Sequence, residues 1–357
     1  VAQLSHPRLD QPFVVGSIVT PVGEVPRVGT DLSWTDHWGT FLARWGVGRM
    51  DYRVDPGLYA VGDADADSAV FVTANYKMSF DSLRKELCES SAWILVLDTD
   101  GINVWCAAGK GTFSTEELVQ RVQTSGLTEI ASHRRLILPQ LAAPGVSAHR
   151  VRELSGYKVT YGPIRSADLR KFIDGGFRAT PEMRRKSFST LERIILVPVE
   201  LVETLRVAAF VAPVLFLLGG LGGPAGFWSN SLTYGAFAIC GLLAAIVAGA
   251  IVTPILLPWL PGRAFALKGI IPGLIAAGAV LAVRALFLGS WADPIETAAW
   301  LLLIPGLATY LSMNFTGAST YTSLSGVRKE MRWAVPLQIA SIALGLGLWL
   351  TARFIIA

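Results

Sequence analysis

The distribution of charge along this chain constrains its fold more than any motif does. Of its 357 residues, almost all the acidic and basic side chains precede Arg206, and the remainder of the chain is apolar and rich in Gly and Pro. One fold cannot satisfy both compositions in a single solvent, so a soluble half followed by a membrane half is expected. Five apolar runs are read as spans: Thr204–Gly222, Leu232–Leu256, Gly269–Leu288, Ile295–Met313 and Val335–Phe354. Each is long enough to cross a hydrocarbon core of about 30 Å as a helix. Arg263 and Lys268 fall between the second and third runs, and Arg328, Lys329 and Arg332 between the fourth and fifth. The linkers Gly223–Ser231 and Gly289–Pro294 carry no Lys or Arg. This asymmetry puts the basic linkers and the soluble half in the cytoplasm, with the C-terminus outside the cytoplasmic membrane. Arg284, near the end of the third run, is expected to snorkel to the outer interface. The Gly- and Ala-rich stretch Gly241–Ala250 suits close helix packing. The polar linker Asn314–Ser323 should emerge on the cytoplasmic side.

The net charge of +4 makes no case for nucleic acid. Its basic cluster, Arg178, Arg184, Arg185, Lys186 and Arg193, reads as flanking charge ahead of the first span. Residues 181–203 are therefore read as a basic juxtamembrane segment and 204–357 as the membrane domain. Within the soluble half, residues 68–180 alternate short apolar runs with amphipathic stretches. Strands are expected at Ala69–Thr73, Ala92–Leu97, Leu136–Leu138 and Lys158–Tyr161. Helices are expected at Ser79–Leu87 (capped by Ser79), from a Ser114–Glu117 capping box to about Ser125, and at Ser147–Leu154 and Ser166–Ile173. The alternation predicts a doubly wound, Rossmann-like α/β sheet, mainly parallel. Residues 1–67, with Val, Gly and Pro, read as an irregular or β-containing lead-in packed beside it. Ligands of such sheets sit beyond the carboxyl ends of the strands. Those ends supply Thr73, Asn75 and Lys77, then Asp98–Lys110, then Gln140, then Gly162 and Pro163 as candidate binding residues.

The chain has three cysteines, Cys88, Cys106 and Cys240, and no Cys-x-x-Cys pair. It therefore cannot by itself hold an iron–sulfur cluster or a structural zinc. Cys106 lies in Asn103-Val104-Trp105-Cys106-Ala107-Ala108-Gly109-Lys110, on the expected binding rim. With Asn103 as N-cap, Cys106 takes the third helical position, where exposed backbone N–H groups favour a thiolate. Lys110 adds positive charge, Trp105 packs toward the sheet, and Gly109 and Gly111 leave room for a bulky planar group. A phosphate loop fits poorly, since Val104 stands where the earlier Gly should be and Gly111 where Ser or Thr should be. A Cys–His hydrolase would need His6, His37, His133 or His149 folded nearby. A buried structural cysteine remains open on spacing alone.

The run Asn103–Lys110 resembles the signature of the corrinoid proteins of microbial mercury methylation, the HgcA family, Asn-(Val/Ile)-Trp-Cys-Ala-(Ala/Gly)-Gly-Lys, at every position. Val72–Asp81 is similar to the same family and to corrinoid iron–sulfur proteins of acetyl-CoA metabolism, and Phe315–Met331 is similar to the family too. The resemblance implies a cobalamin domain followed by a multi-span membrane domain, with Cys106 as an axial ligand of the corrinoid cobalt. It implies that Asn103, Val104, Trp105, Ala107, Ala108, Gly109 and Lys110 line that cofactor. The histidine-ligand signature Asp-x-His-x-x-Gly is absent, since Asp36 and His37 are adjacent. The implied activity is methyl transfer to inorganic Hg(II). The implied partners are a ferredoxin-like protein with two [4Fe-4S] clusters (HgcB) and a methyl donor from a methyltetrahydrofolate pathway. The alternatives are a corrinoid methyl carrier serving one-carbon metabolism and a membrane-anchored thiol sensor or scaffold without corrinoid.

Overall fold

The computed structural model describes residues 4–289, 291–319 and 324–355. The end of the expected Asn314–Ser323 linker, at 320–323, and Ser290 of the Gly289–Pro294 linker thus lie outside the described residues. The chain divides into two compact units, Val1–Ala43 with Val47–Lys186, and Arg44–Gly46 with Ser187–Ala357.

In the first unit one seven-stranded sheet runs in the order β1-β2-β3-β5-β4-β6-β7. The strands are β1 (Val14–Thr20), β2 (Gly23–Val28), β3 (Gly57–Val61), β4 (Ala69–Ala74), β5 (Ala92–Leu97), β6 (Arg135–Leu138) and β7 (Lys158–Tyr161). Its helices are α1 (Trp34–Arg44), α2 (Lys77–Glu86), α3 (Val104–Lys110), α4 (Thr115–Thr124), α5 (Leu127–Ile130), α6 (Ala148–Ser155) and α7 (Leu169–Asp174). β5, β4, β6 and β7 are mutually parallel, as the strand–helix alternation predicts. The lead-in differs from expectation. Instead of packing beside the sheet it adds β1–β3 to it, β3 running antiparallel to β5 and β1–β2 closing that edge as a hairpin. The run Gly57–Val61 is short and buried on both faces, so it carries no alternation to mark it as a strand.

β5 reads Ala-Trp-Ile-Leu-Val-Leu because both its faces are covered. Trp93, Leu95 and Leu97 join one core with Val104, Ala107, Ala108 and Phe113, while Ile94 and Val96 join the other with Phe71, Phe80 and Phe172. α3 is thereby held to the sheet by its small residues.

α2 begins at Lys77, two residues before the expected Ser79 cap, with Tyr76 as an N-cap whose side chain makes no capping bond to the helix amides. The missing cap is offset by an ion network. Lys77 Nζ lies 2.6 Å from Asp36 Oδ1 and from Asp81 Oδ2, and Arg84 reaches Asp36 at 2.8 Å and Asp81 at 2.7 Å. These four side chains are all buried and tie α1 to α2. Burial pushes the Asp36 carboxyl up, but hydrogen bonds from Lys77 and Ser33 overcome that and hold it well below the usual carboxylate range.

The second unit contains α8 (Thr190–Leu218), α9 (Phe227–Asn230), α10 (Ala236–Ile246), α11 (Thr253–Leu256), α12 (Phe265–Leu288), α13 (Pro294–Ser312) and α14 (Leu324–Ile355). Two π-helical turns, Ser231–Gly235 and Val247–Val252, join α9, α10 and α11 into one rod. Among the described residues, five rods are long and apolar enough to cross a membrane: Thr190–Leu218, Phe227–Leu256, Phe265–Leu288, Pro294–Thr316 and Ser325–Ile355. The chain thus has the makings of a multi-pass membrane protein. Each rod starts before its apolar run. A Ser189–Glu192 capping box, for example, sets the start of α8 within the expected juxtamembrane segment. Gly241 lies where a Cβ would come within 2.5 Å of the Trp300 ring, and Gly273 where it would come within 2.7 Å of Pro305 Cα, so these helices do meet at small residues.

Arg284 departs from expectation. It does not snorkel outward; it is buried and pairs with Glu296 at 2.7 Å, a carboxylate that Arg353 also approaches at 3.0 Å. A glutamate one turn into α13 holds the guanidinium inside the bundle.

Candidate functional site

Cys106 belongs to α3, and its position is built by two asparagines. Asn103 is the N-cap, its Oδ1 accepting from the Cys106 backbone N–H at 3.0 Å while its Nδ2 donates to Cys106 Sγ at 3.5 Å. Asn75, just past the end of β4, fixes the loop that leads into α3. Its Oδ1 accepts from Thr99 N at 3.1 Å, Thr99 Oγ1 at 2.9 Å and Gly101 N at 3.0 Å, and its Nδ2 donates to Asp98 Oδ1 at 3.0 Å. Asn75 is only 1 % exposed, and its side chain is committed to positioning the loop. Glu117 braces the same loop. The Ser114 hydroxyl accepts from Glu117 N as a cap, but the Glu117 carboxylate accepts from Asp98 N at 2.8 Å instead of closing a capping box.

Along α3, Val104, Ala107 and Ala108 are buried in the core, whereas Cys106, Gly109 and Lys110 are exposed and Trp105 is half-buried. Gly111 ends the helix with φ 88°, a left-handed value that favours glycine. A Cβ built at Gly109 or at Gly111 meets nothing within 4 Å. The free Cys106 thiol therefore borders an open, side-chain-free surface with one lysine at its edge. Those features leave room for a flat macrocycle whose metal would face the Cys106 sulfur, as expected for a corrinoid. The chemistry of the donor is also suitable, since a thiolate is a recognised axial ligand for a macrocyclic metal.

The remaining strand-end candidates divide by burial. Thr73 is enclosed within β4. Lys77, buried in its ion network, is committed to two carboxylates. Gly162 and Pro163 are buried, the Gly162 N–H donating to Leu138 O at 2.7 Å. Gln140 is half-buried in a 3₁₀ turn that packs on α3, and its Oε1 has no hydrogen-bond partner among the described residues. Gln140 thus keeps a buried polar atom uncommitted among the described residues. The segment after α1 also reaches this rim, which sequence reasoning did not anticipate. Arg53 bridges to Tyr76, the Arg49 guanidinium lies 5.6 Å from the Tyr76 ring centroid, and a Cβ on Gly101 would meet Met50 O at 2.8 Å. No pattern in residues 47–54 marks that crossing.

Residues 47–173 match the family described as CO dehydrogenase/acetyl-CoA synthase delta subunit. The acetyl-CoA decarbonylase/synthase complex subunit gamma of Archaeoglobus fulgidus is 29% identical over 128 residues, 35% of this chain and 27% of that protein. The subunit gamma of Methanopyrus kandleri is 30% identical over 128 residues, again 35% of this chain and 27% of the relative. That of Methanothermobacter thermautotrophicus is 29% identical over 128 residues, 35% of this chain and 28% of its own length. This chain therefore spans little more than a quarter of the curated relatives it matches. Through the domain that carries Cys106, the chain is similar to subunits of the acetyl-CoA decarbonylase/synthase complex.

Proposed function

We propose that the domain holding α3 binds a corrinoid with the Cys106 thiolate as axial ligand of its cobalt, and that the chain methylates inorganic Hg(II) at a membrane. The observation that carries this reading is the exposed Cys106 thiol held by Asn103 beside the open surface of Gly109 and Gly111. A bound corrinoid would supply a cobalt-held methyl group, which a thiolate ligand makes easier to release with carbanion character to a soft Hg(II) acceptor. The protein's own contribution is orientation. Asn103 sets the direction of the Cys106 side chain, Ala107 and Ala108 lock α3 to the sheet, and Asn75 fixes the preceding loop. The identity of Asn103–Lys110 with the mercury-methylation signature supports Hg(II) as substrate. On this reading a ferredoxin-like partner with two [4Fe-4S] clusters supplies electrons and a methyltetrahydrofolate pathway supplies methyl groups. The loop charges of the apolar half favour a cytoplasmic site.

A second reading has a specific observation in its favour. The similarity to acetyl-CoA decarbonylase/synthase subunits supports a methyl carrier whose acceptor is a one-carbon-metabolism centre. Two measurements on the full chain in detergent test the corrinoid site and then separate these readings. After cobalamin loading, wild type should show a visible spectrum that Cys106→Ala lacks. Wild type loaded with methylcobalamin, the source of the methyl group, should then form methylmercury from Hg(II). A spectrum indistinguishable between the two proteins removes the thiolate ligand. Transfer to a thiol or metal-cluster acceptor with none to Hg(II) selects the second reading.

A further inference from the structure

The ion pairs at one end of the second unit hold more positive charge than negative. Where α12 finishes, α13 begins and α14 finishes, the Glu296 carboxylate serves two guanidiniums, those of Arg284 and Arg353. Arg353 is 2 % exposed, Glu296 1 % and Arg284 7 %. The other carboxylate nearby in the chain is Asp293, one turn before Glu296 and half-buried. Its Oδ1 caps α13 at the Ile295 and Glu296 amides, its buried Oδ2 has no hydrogen-bond partner, and it pairs with neither arginine among the described residues. Aromatic rings enclose the cluster. Tyr234 lies with its ring centroid 3.6 Å from the Arg353 guanidinium carbon, Trp300 Nε1 donates to Glu296 Oε1 at 3.5 Å, and the Trp300 and Trp349 centroids are 6.1 Å apart.

On α14 every unused polar atom of this enclosure is a donor. Arg353 Nε and Trp349 Nε1 are buried and make no hydrogen bond among the described residues. Arg353 Nη2 approaches Glu296 closely enough for an ion pair but not in hydrogen-bonding geometry. Trp349 and Arg353 are one turn apart on α14, so their donors share a face of that helix. A buried guanidinium with unmade donor bonds is costly, and an acceptor of negative charge relieves that cost.

We propose that this cluster is a binding site for a small monovalent anion of the halide class, held between the Arg353 guanidinium and the Trp349 indole N–H and linking α14 to α12 and α13 through Glu296. The site does not depend on corrinoid chemistry, so its failure and that of the proposed function are separate.

The test uses the full chain in detergent, compared in sodium chloride, sodium bromide and sodium gluconate at equal ionic strength and pH. Equilibrium dialysis with radiolabelled chloride should give saturable binding near one ion per chain. At chloride about a hundredfold above the dissociation constant, the thermal midpoint should rise by roughly 5–10 °C over gluconate. Arg353→Gln should lose both effects. Glu296→Gln should bind chloride at least about tenfold more tightly, because a competing negative charge is gone. A purely structural triad predicts the reverse for that variant: a lower midpoint in every salt and no retained label. Wild type with no saturable chloride binding and equal midpoints in chloride and gluconate overturns the proposal, whatever the variants do.

Discussion

Asn103 grips Cys106 twice, accepting from its backbone N–H at 3.0 Å and donating to its sulfur at 3.5 Å. One side chain therefore sets both where the helix begins and where the thiol points. Asn103→Ala should cost about 1 kcal/mol of stability from the lost cap. If Cys106 is the anchor for a cofactor, it should also weaken cobalamin binding several-fold, as read by titration of the visible spectrum. Asn103→Asp keeps the cap oxygen but loses the donor to sulfur. Stability equal to wild type with weakened binding in that variant would isolate the contact to Sγ.

Cys106→Ala is expected to reduce methyl transfer to background and to remove the loaded cofactor's signal. Cys88→Ala, at an exposed cysteine just past α2, should leave both within about twofold of wild type, since surface substitutions are usually small in effect. Equal losses in the two variants would argue that oxidation or misfolding, rather than ligation, underlies the effect.

Two glycines beside α3 should behave in opposite ways. A methyl on Gly109 points into open space, so Gly109→Ala should fold normally and gain up to about 1 kcal/mol from helix propensity. The same methyl would stand on the surface where a flat ligand is proposed to seat, and cobalamin affinity should fall at least several-fold. A Cβ on Gly145 would clash with Phe113 O and lie 3.0 Å from Ala108 Cα, so Gly145→Ala should lower the thermal midpoint by several degrees. Unchanged cobalamin affinity in Gly109→Ala would place the ligand elsewhere.

Legibility from sequence differs from residue to residue. The parallel strands and the Asn103 cap are marked by local patterns: apolar runs of strand length, a capping residue and a glycine stop; the exposure of Cys106 is not, since its spacing alone fits a buried cysteine as well. The β1–β3 extension is not, because β3 is a short apolar run without alternation and its partner β5 lies beyond two intervening elements. Asn75 and Lys77 do stand at the end of β4, but sequence position does not distinguish a side chain facing outward from one turned back into the fold. The i,i+4 spacing of Lys77 and Asp81 is a usable signal for an ion pair. Their link to Asp36, far away in the chain, is not. Likewise Arg284 has the sequence position of a membrane-surface residue, and only the three-dimensional placement of Glu296 and Arg353 draws it inward.

The Asp36 network gives a prediction for pH. Its folded carboxyl titrates below the ordinary value, so its contribution to stability is complete above the unfolded pKa. That contribution is lost as pH falls through the folded one, and so stability should decline below about pH 4. Asp36→Asn leaves Lys77 and Arg84 sharing Asp81 alone, and should cost about 3–5 kcal/mol at neutral pH. It should also flatten the acid limb of the stability curve, as followed by circular dichroism. An acid limb identical to wild type in Asp36→Asn would assign the decline to other carboxylates.

Because Asn75 roots the Asp98–Ile102 loop in a central strand, the thiol is displayed on a rigid mount. If the proposed corrinoid seats at Cys106, it would meet a surface already held in place, with few torsions left to freeze. Association should then show a small conformational entropy penalty and fast, single-phase kinetics. Asn75→Ala would convert that behaviour into slow capture by a wandering loop.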